Sequence, residues 1–562
     1  MNHADFSLYQ FTTLRFASST IALSLAFTLT AHAQPFENVL TAINPLPAMD
    51  FRAVTTIAVN PSATRVYAAA GAHPVPGNTS SFLHLSFWSE TGSTHGPAGY
   101  YMPNSNGWFD LRSLSEGPNG DFVVGGYASD SVLGTRTFWA RFDSAFSLKA
   151  AYLMGGSDTS DPRVKAILLS SGNILVMDPV NTGVSNRAKT RILCMSATGT
   201  LLWAREYTTA NCETLRFADL RESANGLVYA AGYIQGAAGF PAACVMEIDP
   251  TPTTSDGLAT GLWKYPASAG VWSEFTSIDT DNSGNFYAAG TNTWFAAPGP
   301  GFVTFLRAVC IRSSQSMASV SDCEYRIDMI PAFGSGRYVP GTSGGTWLTP
   351  PLFFIAGATS DGLTARHLRL DAFGLSFNAG ADFKSTASGN TRFSGLTLGA
   401  SQPAEAVMVG LLSTPSASTD QAYIVKTGPF GATSCSTAWS KSPVVLTPSF
   451  QTLNPVSLRS DRYCNGTPVG TVTSVAQISL RPHTFTATVV VKKKCDNCSS
   501  DFTGDAMVDD MDFIVFAEQY NTFLCSDPAM TPGCPADLTL DGAVDDSDFM
   551  VFVNAYNLLV CE

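Results

Sequence analysis

One short pattern recurs along this chain at intervals that no single helix or hairpin can explain. The stretches "ATRVYAAAG", "GDFVVGGYA", "GNILVMD", "GLVYAAGY", "GNFYAAGT", "PLFFIAGAT" and "AVMVGLL" are variants of one apolar strand, most of them ending on glycine. Their shared positions, Gly71, Gly126, Met177, Gly232, Gly290, Gly357 and Gly410, are separated by 55, 51, 55, 58, 67 and 53 residues. A strand precedes most copies, as in "RVKAILLS" and "EFTSIDTD", and a second strand with a polar turn into a third follows, as in "TFWARFDSAFSLKAAY". A unit of this length cannot bury both faces of its own sheet, so successive units must stack on one another.

Four short strands per unit at this period is the signature of propeller blades. The reading for residues 50–443 is therefore a mainly β chain folded as a seven-bladed β-propeller. The first unit supplies four strands of its own, Val54–Val59, Arg65–Ala70, Leu83–Phe87 and Ala98–Tyr101, so closure is not expected to borrow a strand from the far end. The strands resemble the broad class of bacterial propellers built on "GN-x-Y-x-x-G". That class is defined by shape and spans many functions, so it implies no chemistry. Residues 444–494, with "TVTSVAQISL" and "TFTATVVVKKK", read as a small β extension or linker.

Charge separates the end of the chain from everything before it. Ser499–Glu562 holds thirteen acidic residues and no Lys or Arg, while the whole chain has 32 basic and 45 acidic residues for a net charge of −13. The preceding residues thus balance at 32 basic against 45 − 13 = 32 acidic. A neutral body with an acidic module offers no basic surface for nucleic acid.

The acids of the module are spaced, not merely abundant. Asp501, Thr503, Asp505, Asp509 and Asp512 stand at positions 1, 3, 5, 9 and 12 of a loop, and Asp537, Thr539, Asp541, Asp545 and Asp548 repeat them. The backbone carbonyls of Met507 and Ala543 fall at position 7. This ladder surrounds a hard cation with oxygen, and two Ca2+ sites suit it better than Mg2+, which demands a tight octahedron. Each loop leads into a helix whose apolar stripe, Phe513, Phe516, Ala517 and Tyr520 or Phe549, Phe552, Val553 and Tyr556, is expected to pack on its twin.

On these residues the module 495–562 resembles a dockerin, the calcium-dependent docking module of two loop-helix repeats. The resemblance covers about Asp501–Asn557 and implies a cohesin-like partner or cell-surface assembly. In that family positions 10 and 11 often meet the partner, which points to Asp510, Met511, Asp546 and Ser547; as solvated first-turn residues favouring the helix dipole, they have an equally simple explanation. Position 3 is Thr in both loops where Asn or Asp is usual, and position 6 is Gly542 in the second loop but Ala506 in the first. The first site is therefore expected to be the weaker.

Cysteines bracket the two repeats. Cys498 and Cys534 precede the loops and Cys525 and Cys561 follow the helices, a framework suited to a small module in an oxidising compartment, with connectivity left open. Cys435 with Cys464, and Cys310 with Cys323, are further disulfide candidates. At the other end, Arg15, the apolar run Ile21–Thr30 and "AHA" at Ala31–Ala33 read as a signal peptide over residues 1–33, with Gln34 as the mature start. A secreted or cell-surface protein without a transmembrane anchor is expected.

Catalytic motifs are sparse. "GTSGG" around Ser343 lacks the strand and helix a nucleophile elbow needs. No zinc-type spacing occurs among seven His. The acids Asp219, Glu222, Asp279, Asp281, Asp328, Asp361 and Asp371 could include a glycosidase pair, although Asp at a β-turn ordinarily bonds its own backbone. Two functions follow from the sequence: an exported non-catalytic binding or scaffold protein with a docking tail, for which carbohydrate is a candidate ligand, or a secreted carbohydrate-active enzyme carrying the same tail into polysaccharide breakdown.

Overall fold

A computed structural model describes 33 strands and two α-helices between residues 36 and 558, with some of the turns that join them; residues 1–35, 447–474 and 559–562 and several loops, 340–350 among them, lie outside the described residues. The strands assort into seven antiparallel sheets. Their first strands are Ala53–Ala58, Trp108–Glu116, Lys165–Leu168, Thr214–Glu222, Val271–Thr280, Ile330–Val339 and Asn390–Leu398. These touch one another in chain order and the last touches the first, so together they line the axis of a closed ring. The fold is mainly β, a β-propeller.

The recurring glycine has a steric cause. Gly126, Gly232, Gly290 and Gly410 pair with Leu111, Phe217, Phe275 and Phe393, and the innermost strand bulges immediately after each of those partners. The bulge pushes a carbonyl toward the second strand. A Cβ on Gly232 would fall inside the radius of the Arg216 oxygen, and one on Gly290 inside that of Glu274. Only glycine tolerates that approach, and the bulge turns the strand at the ring's axis. In the sixth sheet the same device is larger, with the register jumping from Pro331 to Gly336 opposite Gly357 and Ile355. The third sheet, which has Met177 at the shared position, pairs it with Lys165 without a bulge.

Apolar faces of neighbouring sheets form the core. Leu215, Phe217 and Leu220 of the fourth sheet join Ile167, Leu175 and Met177 of the third in one cluster, and Phe51, Tyr67 and Trp88 join Val407, Val409 and Ile424 across the first and seventh. Side chains also bond backbone from sheet to sheet. Ser113 Oγ accepts from Ala166 N at 2.9 Å, Thr190 Oγ1 from Phe217 N at 3.0 Å, and Asp279 Oδ2 from Tyr338 N at 2.7 Å. Thr56 Oγ1 donates to the Leu398 carbonyl at 3.2 Å and joins the first sheet to the seventh.

Closure differs from the sequence reading. The seventh unit contributes three strands, and its fourth is Phe36–Ala42 from the beginning of the chain, paired antiparallel with Gln421–Lys426. The borrowed strand satisfies edge groups that the chain would otherwise leave open.

The described strands within residues 444–494 pair with propeller sheets. Val445–Leu446 adds to the edge of the fifth sheet, Val475–Gln477 to the second, Arg481–His483 to the first, and Ala487–Lys494 pairs with Phe36–Ala42 in the seventh. Just before them, Thr437–Ala438 adds to the sixth. The order sixth, fifth, second, first, seventh runs backward round the ring. These segments cover outer strands whose free N–H and C=O groups would otherwise invite another chain.

In the tail, helix α1 spans Asp510–Thr522 and helix α2 spans Asp546–Leu558. Val508, Phe516, Met530, Ala536, Val544 and Phe552 make a small core, with the Phe516 and Phe552 rings stacked at 5.0 Å. The expected apolar stripe is only partly buried: Phe516 and Phe552 are enclosed, whereas Phe513 and Phe549 remain 43% and 37% exposed. Two 13-residue helices offer too little surface to cover both rows.

Candidate functional site

Two places concentrate polar chemistry. The first is where the innermost propeller strands begin. In the second, fourth, fifth and seventh sheets the residue just before the glycine's partner is charged: Asp110, Arg216, Glu274 and Arg392. Arg163, just ahead of the third sheet's first strand, donates through Nη2 to Glu274 Oε2 at 2.8 Å, reaching from the third sheet to the fifth. Its guanidinium also lies 5.4 Å from the Tyr233 ring and 5.6 Å from Phe333. Arg216 Nη1 donates to Tyr233 Oη at 3.0 Å, and Trp272, about one-third exposed, meets Tyr233 edge-on at 5.8 Å. Burial pushes the Tyr233 hydroxyl above its ordinary pKa, against the pull of Arg216 and Arg163. The result is an aromatic and guanidinium floor, suited to stacking and hydrogen bonding with a polar ligand.

Each carboxylate in the middle of these strands is already committed. Asp110 meets Arg112, Glu274 meets Arg163, Asp219 Oδ1 lies 2.7 Å from Lys165 Nζ, and Asp279 Oδ1 lies 2.8 Å from Arg221 Nε. Asp219 and Asp279 also accept from the backbone N–H groups of Ile278 and Tyr338 in the next sheets. The other candidate acids serve turns and caps. Asp281 accepts from Ser283 N and Asn285 N, Asp361 accepts from Leu363 N, and Glu222 accepts from Ser170 N and Oγ. Ser343 and Asp328 lie outside the described residues.

The second place is the start of the two tail helices. Asp509 caps α1 by accepting from Met511 N at 2.8 Å, while Asp512 Oδ2 accepts from Asp509 N at 3.0 Å. Asp545 and Asp548 repeat this at α2, with Ser547 N donating at 2.7 Å and Asp545 N at 2.9 Å. Asp512 and Asp548 are wholly buried. The position-10 acids are engaged reciprocally: Tyr520 Oη donates to Asp546 Oδ1 at 2.5 Å, and Tyr556 Oη donates to Asp510 Oδ1. These bonds raise both tyrosine hydroxyls. Met511 is 58% exposed.

Of the calcium-ligand candidates, Asp501, Thr503, Asp505, Met507, Asp537, Thr539 and Asp541 lie outside the described residues, and Asp509, Asp512, Ala543, Asp545 and Asp548 lie within them. Ala543 forms an antiparallel bridge with Leu524, which ties the second loop to the end of α1. Among the described residues no group of three or more His, Cys, Asp or Glu is placed to hold a metal. The oxygen-only donor set, with a buried carboxylate at position 12 of each loop, fits a hard cation.

Cysteine candidates Cys435, Cys464, Cys498, Cys525, Cys534 and Cys561 also fall outside the described residues. Cys310 and Cys323 stand on neighbouring strands, opposite Ser321 and Ala308. Cys194 and Cys244 are buried, and burial pushes the Cys194 thiol up to about 12. Among the described residues no helix is long and apolar enough to cross a membrane.

The floor formed by Arg163, Tyr233, Trp272 and Phe333 was not singled out from sequence. Its residues come from four different sheets, and the repeat register gave the only usable signal: charge recurring just before the glycine's partner in four of the sheets.

No family model matches the chain, and no curated relative matches it. Among solved structures it is similar to an arabinobiose complex of the GH93 α-L-arabinofuranosidase of Fusarium graminearum (13% identity, 70% of this chain and 98% of that one, TM-score 0.39). It is also similar to the hydrazine synthase of Kuenenia stuttgartiensis (10% identity, 65% and 92%, TM-score 0.40) and to the β-propeller domain of the Trilobed protease from Pyrococcus furiosus (8% identity, 68% and 94%, TM-score 0.37). At this distance the likenesses carry nothing about substrate or activity.

Proposed function

We propose that this chain is an exported, non-catalytic binding protein. Its seven sheets are the seven blades of one propeller, which presents the floor around Tyr233 and Trp272 to a carbohydrate ligand. Its tail is a dockerin-like module, ordered by two calcium ions and held by disulfides, that docks to a cohesin-like protein or cell-surface assembly.

The observation that carries the non-catalytic reading is the pairing of Asp110, Asp219, Glu274 and Asp279 with basic side chains. Glycoside hydrolysis needs one carboxyl group protonated and another ionised, facing each other across about 5–9.5 Å. Each of the four instead already has a basic side chain for its partner. The solvent-edged Trp272 beside Tyr233 and two guanidinium groups suits sugar rings and hydroxyls. The docking reading rests on two acid ladders in register and on the reciprocal Tyr520–Asp546 and Tyr556–Asp510 bonds, which make the two repeats equivalent.

The test is a panel of polysaccharides and oligosaccharides offered to the full-length protein, with reducing ends and binding measured together. Binding without new reducing ends, lost in Trp272→Ala, is expected. Sustained release of reducing ends would replace this reading with the enzyme.

A further inference from the structure

Elsewhere among the described residues a buried acid meets a buried base. Asp178 meets Arg191, and Glu405 Oε2 meets Lys426 Nζ at 3.1 Å with both side chains fully enclosed. The cluster shared by the innermost strands of the third, fourth, fifth and sixth sheets does not balance. Lys165, Arg221 and Arg337 bring three positive charges, Asp219 and Asp279 bring two negative ones, and 3 − 2 leaves +1.

The geometry explains how the imbalance is held. Lys165 Nζ is 2.7 Å from Asp219 Oδ1, and Arg221 Nε is 2.8 Å from Asp279 Oδ1. Both carboxylates also accept backbone N–H groups, Asp219 from Leu220 and Ile278 and Asp279 from Tyr338, so neither is free to turn toward a third cation. Arg337 forms no ion pair among the described residues. Its Nη1 donates to the carbonyls of Gly334 at 2.9 Å and Gly336 at 2.6 Å.

The excursion between Pro331 and Gly336 brings these groups together. Gly334, at a φ of +68°, comes so close to the Lys165–Asp219 pair that a Cβ there would stand 2.7 Å from Nζ and 3.4 Å from Oδ1. Burial and the neighbouring Arg221 lower the Arg337 pKa to about 10, and burial lowers that of Lys165 despite Asp219. The Arg221 side chain is 28% exposed and Arg337 is half-buried, so the surplus charge borders solvent while its partners stay enclosed. A partly buried, uncompensated cation is costly, and an anion would remove most of that cost.

We propose that Arg221, Arg337 and Lys165 form a binding site for a compact oxyanion near the axis of the propeller. The shared chemistry is a phosphate- or carboxylate-sized group, either as a free ion or as the acidic group of a sugar. The site does not depend on the proposed carbohydrate reading, because a bare ion can fill it.

The experiment is calorimetric titration of the full-length protein with inorganic phosphate and, separately, with glucuronate, at ionic strength held constant with sodium chloride. Saturable binding of either ion is expected, weakened at least tenfold in Arg337→Gln, whose amide can still donate to the Gly334 carbonyl. Arg221→Gln, at the more open position, serves if the first variant does not fold. Tighter binding of phosphate assigns the site to a free ion, and tighter binding of glucuronate to an acidic sugar. Absence of saturable binding of both ions overturns the proposal, as does unchanged affinity in a folded variant.

Discussion

The propeller and the tail solve the same problem with different means. In the propeller, neighbouring sheets bury each other's faces, and side chains such as Ser113, Thr190 and Asp279 bond backbone in the next sheet. Its charges balance before any ion is added. The tail has a core of Val508, Phe516, Met530, Ala536, Val544 and Phe552 and thirteen acids without a base. A fold of the first kind is stabilised by its own packing. On the proposed reading, a fold of the second kind needs cations to offset its own charge, and that difference would make one region a platform and the other a switch.

The strongest way to break this comparison is to remove the proposed calcium ligands. Asp501→Ala with Asp537→Ala, or a chelator, is expected to abolish ordering of α1 and α2 and capture of a partner, while propeller melting is unchanged. Two Ca2+ would take the tail's formal charge from −13 to −13 + 4 = −9. Hydrogen exchange of the two regions and a pull-down with and without calcium would check it. Equal capture in both conditions would place docking outside a calcium-ordered module.

A second test loads the propeller alone. Gly232→Ala forces a methyl group against the Arg216 carbonyl, and a loss of about 3 kcal/mol is expected because the bulge cannot retreat without breaking the ring's register. Denaturant unfolding should show it, with calcium affinity unaffected. A neutral result would mean that the bulge is not what selects glycine.

Acid should also act on the propeller through His367. This side chain is enclosed, with its ring edge-on to Phe354 at 5.2 Å, and burial, with a smaller contribution from Arg369, lowers its pKa to about 3. The folded pKa lies below the unfolded value of 6.5, so the unfolded chain binds the extra proton and stability falls as pH drops below 6.5. At pH 5 the cost is about 2 kcal/mol, from 1.5 units at 1.36 kcal/mol each. His367→Leu should flatten the slope between pH 6.5 and 5. An unchanged slope would assign acid sensitivity elsewhere.

The smallest effect sharpens the contrast within the tail. Ala506→Gly restores the usual turn residue of the first loop and should tighten that site by up to about 1 kcal/mol, close to fivefold. Calorimetry showing no change would remove the backbone explanation for unequal sites.

Local periodicity and spacing were determined by the sequence itself. The seven recurring strands, six of them marked by glycine, and the even spacing of the tail's two sets of acids could be read because each is a relation among residues close along the chain. The same locality explains why the turn roles of Asp281 and Asp361 were legible. What the sequence could not decide were relations between distant segments. Phe36–Ala42 completing the seventh sheet, the short strands between Thr437 and Lys494 pairing with outer strands, and Lys165 meeting Asp219 beside Gly334 depend on where the ring brings chain ends and axis-facing residues. A strand's alternation shows that it will pair, but its partner is whichever open edge the closed ring leaves within reach. Charge likewise can be counted from sequence, yet only the packing of four sheets around one axis decides which charges are enclosed together and which one is left over.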